Sequence, residues 1–168
     1  MHRNIKILIT VCIFGLIVIW FIWFLQGIGL AEDQEVWVLC QPQSYVSLRC
    51  GAGKTKGYIG GASCGSKMLT DGKIKNGFLH VYDLHAEDSS GWISIRYIVY
   101  DEPIELMEQM KIVSDGRVAA RSWINGKIIK WLKNDDVITV YWASDEWSIT
   151  NKGYIKSEFI GRIYTEGE

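Results

Sequence analysis

Two regimes of hydrophobic patterning divide the chain. Residues 7–25 are almost uninterruptedly apolar, whereas beyond Glu32 the apolar positions fall in short runs broken by Gly, Asn and Asp. Many of those runs alternate with a period of two, which places successive side chains on opposite faces of an extended strand and predicts an all-β body. Val36-Trp37-Val38-Leu39-Cys40, stopped by Gln41-Pro42, is the first predicted strand, and Val46 and Leu48 share one face of the second. A flexible loop from Gly51 to Gly57 precedes a weak strand at Tyr58-Ile59. Asp71-Gly72 is a hairpin signal whose return strand is Phe78-Leu79-His80-Val81-Tyr82. Further on, Ile138, Val140 and Trp142 alternate along one strand, and Asn125-Gly126 marks a turn. After Asp101-Glu102-Pro103, Ile104 to Met110 is expected to form one or two helical turns as a linker.

The pattern repeats. Gly91-Trp92-Ile93-Ser94-Ile95-Arg96-Tyr97-Ile98 returns 62 residues later as Gly153-Tyr154-Ile155-Lys156-Ser157-Glu158-Phe159-Ile160. Upstream, Val46-Ser47-Leu48-Arg49 corresponds to Val118-Ala119-Ala120-Arg121, Gly65-Ser66 to Asp135-Asp136, and Phe78 to Trp147. Self-similarity of this kind signals two related modules. The organisation expected is a targeting segment at 1–31, a first module at 32–103, a linker at 104–111, a second module at 112–163 and a tail at 164–168. The first module is longer through its Gly-Lys loop and the polar insert Ala86-Glu87-Asp88-Ser89-Ser90.

His2, Arg3 and Lys6 precede the apolar run, and Glu32, Asp33 and Glu35 follow it. As a helix, those residues measure roughly 28 Å, enough to cross a hydrocarbon core. The basic flank stays inside, so the rest of the chain is expected outside the cytoplasmic membrane. Trp20 and Trp23 near the outer interface fit an uncleaved anchor through 7–25, while Gly29-Leu30-Ala31 fits a signal removed before Glu32. Both readings stay open. Cys12 belongs to this run. In an oxidising compartment, Cys40, Cys50 and Cys64 can supply one disulfide and leave one thiol over, without the sequence choosing the pair.

Charge narrows the partners. The net charge is −1, with acids in excess over 32–110 and bases in excess over 111–162, and neither half is basic enough for a nucleic-acid surface. Catalytic and metal chemistry finds little support. Gly51-Ala52-Gly53-Lys54-Thr55 lacks the first glycine of a phosphate loop, since position 48 is Leu. Cys40, Cys50, Cys64, His80 and His85 lack the short paired spacing of a structural zinc site. Cys64 with His80 or His85 leaves no room for a separate catalytic domain, and the pairs Asp135-Asp136 and Asp145-Glu146 sit at turns, where Asp supplies turn chemistry. No cofactor, no metal and no enzymatic activity are expected.

In order, a Val-x-x-Arg strand, a small-residue loop, a turn before an alternating strand, an aromatic opening the next strand, and Gly-aromatic-Ile-x-x-x-aromatic-Ile make a set found twice. The set resembles a tandem of bacterial SH3-like domains and covers most of 36–160. Asp135, where that family usually has Gly, and Cys50, at a place usually small and polar, are departures. The resemblance implies two small, partly open SH3-like barrels after an N-terminal hydrophobic helix. It also implies a secreted or surface binding module for peptidoglycan peptide, glycan or an envelope protein, with two linked modules raising effective concentration. A membrane-anchored interaction subunit of an envelope, conjugation or phage-derived apparatus is the alternative, and a Cys64 hydrolase a lesser one. Ile93, Tyr97, Ile155 and Phe159 are expected in the cores, with Phe78, Trp92, Trp142 and Trp147. Tyr45, Trp123 and Tyr141, on opposite faces or at loops, are the expected ligand contacts, because aromatic platforms offer large rigid area at low entropy cost.

Overall fold

A computed structural model describes residues 33–82 and 90–163. The apolar run at 7–25, the stretch at 83–89 with His85, and the 164–168 tail lie outside the described residues. Among the described residues no helix is long and apolar enough to cross a membrane.

The alternating runs form strands, as their period requires. The first set is β1 (Gln34–Val38), β2 (Tyr45–Arg49), β3 (Tyr58–Ser63), β4 (Lys67–Thr70), β5 (Ile74–Lys75), β6 (Phe78–Tyr82), β7 (Ser90–Ser94) and β8 (Ile98–Val99). The second is β9 (Ile104–Ile112), β10 (Val118–Arg121), β11 (Ile128–Leu132), β12 (Val137–Ala143), β13 (Trp147–Thr150), β14 (Gly153–Lys156) and β15 (Ile160–Arg162). The fold is all-β, built on two sheets that do not close into barrels. The first runs β3-β2-β7-β6-β4-β1-β8, with β5 on β6, and the second runs β11-β10-β14-β13-β12-β9-β15. Element for element the two orders are the same.

The signature motifs acquire physical roles. Arg49 and Arg121 each close the loop after their strand, donating to the carbonyls of Lys56 (2.8 Å) and Gly126 (2.7 Å). The residue after each arginine then takes the loop's return, Cys50 N–H to Gly57 O (2.9 Å) and Ser122 N–H to Lys127 O (3.0 Å). Gly91 and Gly153 open the strands that cross these arginines, where Arg49 faces Trp92 and Arg121 faces Tyr154. A Cβ on Gly153 falls 2.5 Å from the Arg121 carbonyl oxygen, so the crossing needs glycine there. Three-residue 3-10 turns at Ile95–Tyr97 and Ser157–Phe159 finish both motifs. Ile93 and Ile155 are fully buried, and Tyr97 and Phe159 pack against the cores from partly buried positions.

Asp135 replaces Gly65 without changing the turn. Both residues have a left-handed backbone (φ 62 and 78), which Asp tolerates better than most non-glycine residues. Their N–H groups donate to Ile112 O and Val38 O at 2.8 Å in each case.

Two local expectations are corrected. Residues 104–110, expected to be helical, are extended in β9, which pairs with both β12 and β15. A bulge interrupts the strand: the β9–β12 register shifts between Val140 and Trp142, and Met107 has φ 54 and points to solvent, 61% exposed. The tight turn of the first sheet's hairpin is Asn76-Gly77, not Asp71-Gly72. Asn76 and Gly77 both have positive φ (52 and 74) between β5 and β6, as a two-residue hairpin turn requires. The Asp71 carboxylate instead accepts the Lys73 N–H at 3.1 Å, a side-chain turn.

Each sheet has its own core. Val36, Val38, Val46, Leu79, Val81 and Ile93 fill the first, and Ile112, Val118, Ala120, Leu132, Ile138, Val140 and Ile155 the second. A third cluster takes Trp37, Leu39 and Val99 from the first set and Trp147, Ile149 and Tyr154 from the second. The two sheets therefore belong to one compact unit beginning at Asp33. Gly65 participates: a Cβ there lies 2.9 Å from the ring of Trp142, so the indole packs on bare backbone of the other repeat.

Candidate binding cleft

The third cluster leaves a cleft at its edge. A cavity of about 440 Å³ is lined by Tyr45, Arg49, Lys54 and Phe78 of the first repeat, by Arg96 and Tyr97 of its 3-10 turn, and by Ser122 and Tyr154 of the second repeat. A second cavity of about 370 Å³ shares Lys54, Phe78, Ser94 and Arg96 with it and continues to Trp123, Ile124 and Asn125. The two cavities adjoin through these shared wall residues and together make up the junction groove. Their volumes lie within the usual 300–1,000 Å³ of small-ligand sites.

Strand geometry explains who reaches the groove. On β2, Val46 points into the first core, so Tyr45, its neighbour, points outward and is 66% exposed. Trp123 sits in the loop after β10, its ring covering Gly126, where a Cβ falls 2.7 Å away. The Arg96 guanidinium stacks over that ring at 4.3 Å, and the Arg96 carbonyl accepts the Ile124 N–H at 3.3 Å. These two contacts hold the first 3-10 turn against the second repeat.

The three expected ligand residues are thus distributed unequally. Tyr45 lines the first cavity and Trp123 the second, whereas Tyr141 packs against the third cluster and lines neither. Of the residues assigned to packing, Trp147 is fully buried and Trp92 and Trp142 partly so. Phe78 is buried but also walls the groove. Lys54 belongs to the 51–55 stretch rejected as a phosphate loop, whereas the sequence reading assigns no role to Ser94 and Arg96. These are variable positions of the first signature, where Lys156 and Glu158, respectively, stand in the second, and that variability is their signal.

The cysteines separate. The Cys64 sulfur accepts the Cys40 N–H at 3.3 Å, and the Cys40 thiol points to the Ser44 carbonyl at 3.5 Å, while Cys50 is exposed beyond the end of β2. All three are free thiols. Cys40 and Cys64 titrate together: their mutual hydrogen bond lowers Cys40 and, with burial, pushes Cys64 far up. Burial, then Cys40, Tyr97 and Cys64 nearby, also pushes the Tyr154 phenol up, so it stays a donor. His80 lies elsewhere, its Nδ1 3.2 Å from the Asp71 carboxylate and its ring against Trp92. Among the described residues no three His, Cys, Asp or Glu side chains gather as a metal site.

No family model and no curated protein matches the chain. Among solved structures it is similar to NlpC1 from Trichomonas vaginalis, at 14% sequence identity and a TM-score of 0.30, covering 83% of this chain and 49% of that one. It is also similar to NlpC2 from the same organism, at 14% identity and a TM-score of 0.33, covering 82% of this chain and 51% of that one. The chain spans about half the length of these solved chains.

Proposed function

We propose that the chain is a non-enzymatic binding protein outside the cytoplasmic membrane that docks short peptide or glycan segments of the cell envelope into the junction groove. One observation carries the reading: an open groove built by both repeats, with an exposed tyrosine lining one of its cavities and an arginine-stacked tryptophan lining the other. Such rigid aromatic contacts gain area at little entropic cost, as binding anchors do. Tandem SH3-like modules remain the family reading, carried by the repeated motifs and the matching strand orders. The absence of catalysis is part of the proposal. It draws support from the engagement of His80 with Asp71 and from the placement of Cys64, whose sulfur accepts the Cys40 N–H.

The test is co-sedimentation of the full chain, in detergent micelles, with purified Gram-positive sacculi. The parent chain is expected to pellet, and Tyr45→Ala and Trp123→Ala each to weaken binding about tenfold, with unchanged circular dichroism. A parent chain that stays in the supernatant with sacculi of several peptide types overturns the reading.

A second reading, an interaction subunit of an envelope apparatus, is favoured by the sheet edges. Among the described residues, strands β3 and β11 each have a partner on one side only and expose Tyr58 and Ile59, and Ile129 and Trp131. Unpaired edges with apolar side chains suit strand addition by a protein partner. Under this reading, Ile129→Lys abolishes partner cross-linking while leaving sacculus binding intact.

A further inference from the structure

The groove has a charge that the aromatic reading does not use. Arg49 at the end of β2, Lys54 in the following loop and Arg96 in the first 3-10 turn all line the same cavity. Ser47, Ser94 and Ser122 line it too, and among the described residues no Asp or Glu does. The ion pairs of the described residues engage other cations: Lys67, Lys73, Lys111 and Lys156. Gathered like charges repel one another, and a concave wall focuses their potential into the space they enclose. An anion seated there relieves that repulsion.

Two of the three cations are already positioned. Arg49 is tethered through one Nη to Lys56 O at 2.8 Å, and the Arg96 guanidinium lies over the Trp123 ring at 4.3 Å. Both guanidinium groups keep further N–H donors, in the planar fork that matches a carboxylate. Nor does the fold require a cation at position 96. Its counterpart in the second signature is Glu158, of opposite sign, in a 3-10 turn of the same length.

Resting on the binding role assigned above, we propose that the junction groove takes a short peptide bearing free carboxylates. Arg96, Lys54 and Arg49 hold the carboxylates, the three serines hydrogen-bond the peptide, and Tyr45 covers its apolar side. The enclosed volume of about 440 Å³ suits a few residues and not a polymer. The net charge of −1 likewise offers no extended basic track for a polyphosphate chain.

The experiment titrates the full chain in detergent micelles with two synthetic tetrapeptides, identical except that one has free carboxylates and the other has each converted to an amide. Inorganic phosphate is a third titrant, and intrinsic tryptophan fluorescence and calorimetry are the readouts. The acid is expected to bind about tenfold more tightly than the amide at low salt, with the advantage shrinking as salt rises. Arg96→Gln and Lys54→Gln are expected to cut affinity for the acid about fivefold more than affinity for the amide. Equal affinity for acid and amide, with sacculi still pelleting the chain, overturns the carboxylate site and spares the envelope reading. An acid preference that survives while sacculi fail to bind upholds the site and overturns the envelope reading. Phosphate binding as tightly as the acid overturns the site as a peptide receptor.

Discussion

The Tyr154 phenol, in the closing strand of the second sheet, donates a hydrogen bond of 3.1 Å to the carbonyl of Leu39 in the first, across 115 residues of sequence. Both residues are at most 2% exposed, so water cannot replace the donor if it is lost. Tyr154→Phe should therefore cost about 1–3 kcal/mol, the penalty for stranding a buried carbonyl. Because the bond joins the repeats, the loss should lower one shared transition in urea unfolding followed by fluorescence and amide exchange. Two separate transitions in the parent chain would contradict a shared core.

The signature glycines make a contrasting pair. Gly153 has φ 117 and leaves 2.5 Å between a would-be Cβ and the Arg121 carbonyl oxygen. Gly91 needs no positive φ, and its nearest obstacle is the flexible end of Ile59 at 2.9 Å. Gly153→Ala is expected to destabilise by more than about 2 kcal/mol, since both backbone conformation and strand crossing must give. Gly91→Ala should cost clearly less. Thermal unfolding of the two variants side by side decides it.

Acid sensitivity should have a component at Asp71. Partial burial alone raises this carboxyl, but hydrogen bonds from the side chain and N–H of Lys73, with His80 adjacent, outweigh it and hold the group below its ordinary range. A folded-state value below the unfolded one contributes stability that is complete above the ordinary carboxylate range and lost as pH falls through the lowered value. Asp71→Asn should be less stable than the parent at neutral pH, and the gap should narrow below about pH 4. A gap that is constant down to pH 2 would assign the effect to packing.

Thiol chemistry should follow the geometry. Oxidised glutathione, taking two electrons and releasing two reduced glutathione molecules, should link Cys40 to Cys64, whose sulfur accepts the Cys40 N–H at 3.3 Å. Cys50, exposed, should instead alkylate first. Peptide mapping under non-reducing conditions reads both, and a dominant linkage through Cys50 would refute the pairing.

Alternation made the strands legible, and recurrence made the duplication legible, down to the identical turn at Gly65 and Asp135. What misled was local. The bulge at Met107 breaks the alternation of β9, and the tight turn that Asp71-Gly72 signals is made nearby by Asn76-Gly77. The groove was half legible: Tyr45 is outward by strand parity and Trp123 is set beside a loop. Its other members come from positions as far apart as Lys54 and Ser122, and no periodicity within a segment reports such a meeting. Arg96 was obscured by its own motif, because a stretch that marks the fold draws attention to its constant positions and away from its variable ones.

The buried cluster of Trp37, Leu39, Val99, Trp147, Ile149 and Tyr154 also sets how the protein counts its ligand. Two modules on a loose tether would each take a ligand and gain avidity from one another. Two sheets fused through a common interior present a single receptor, so titration should saturate at one ligand per chain, with no term for the length of chain between the repeats.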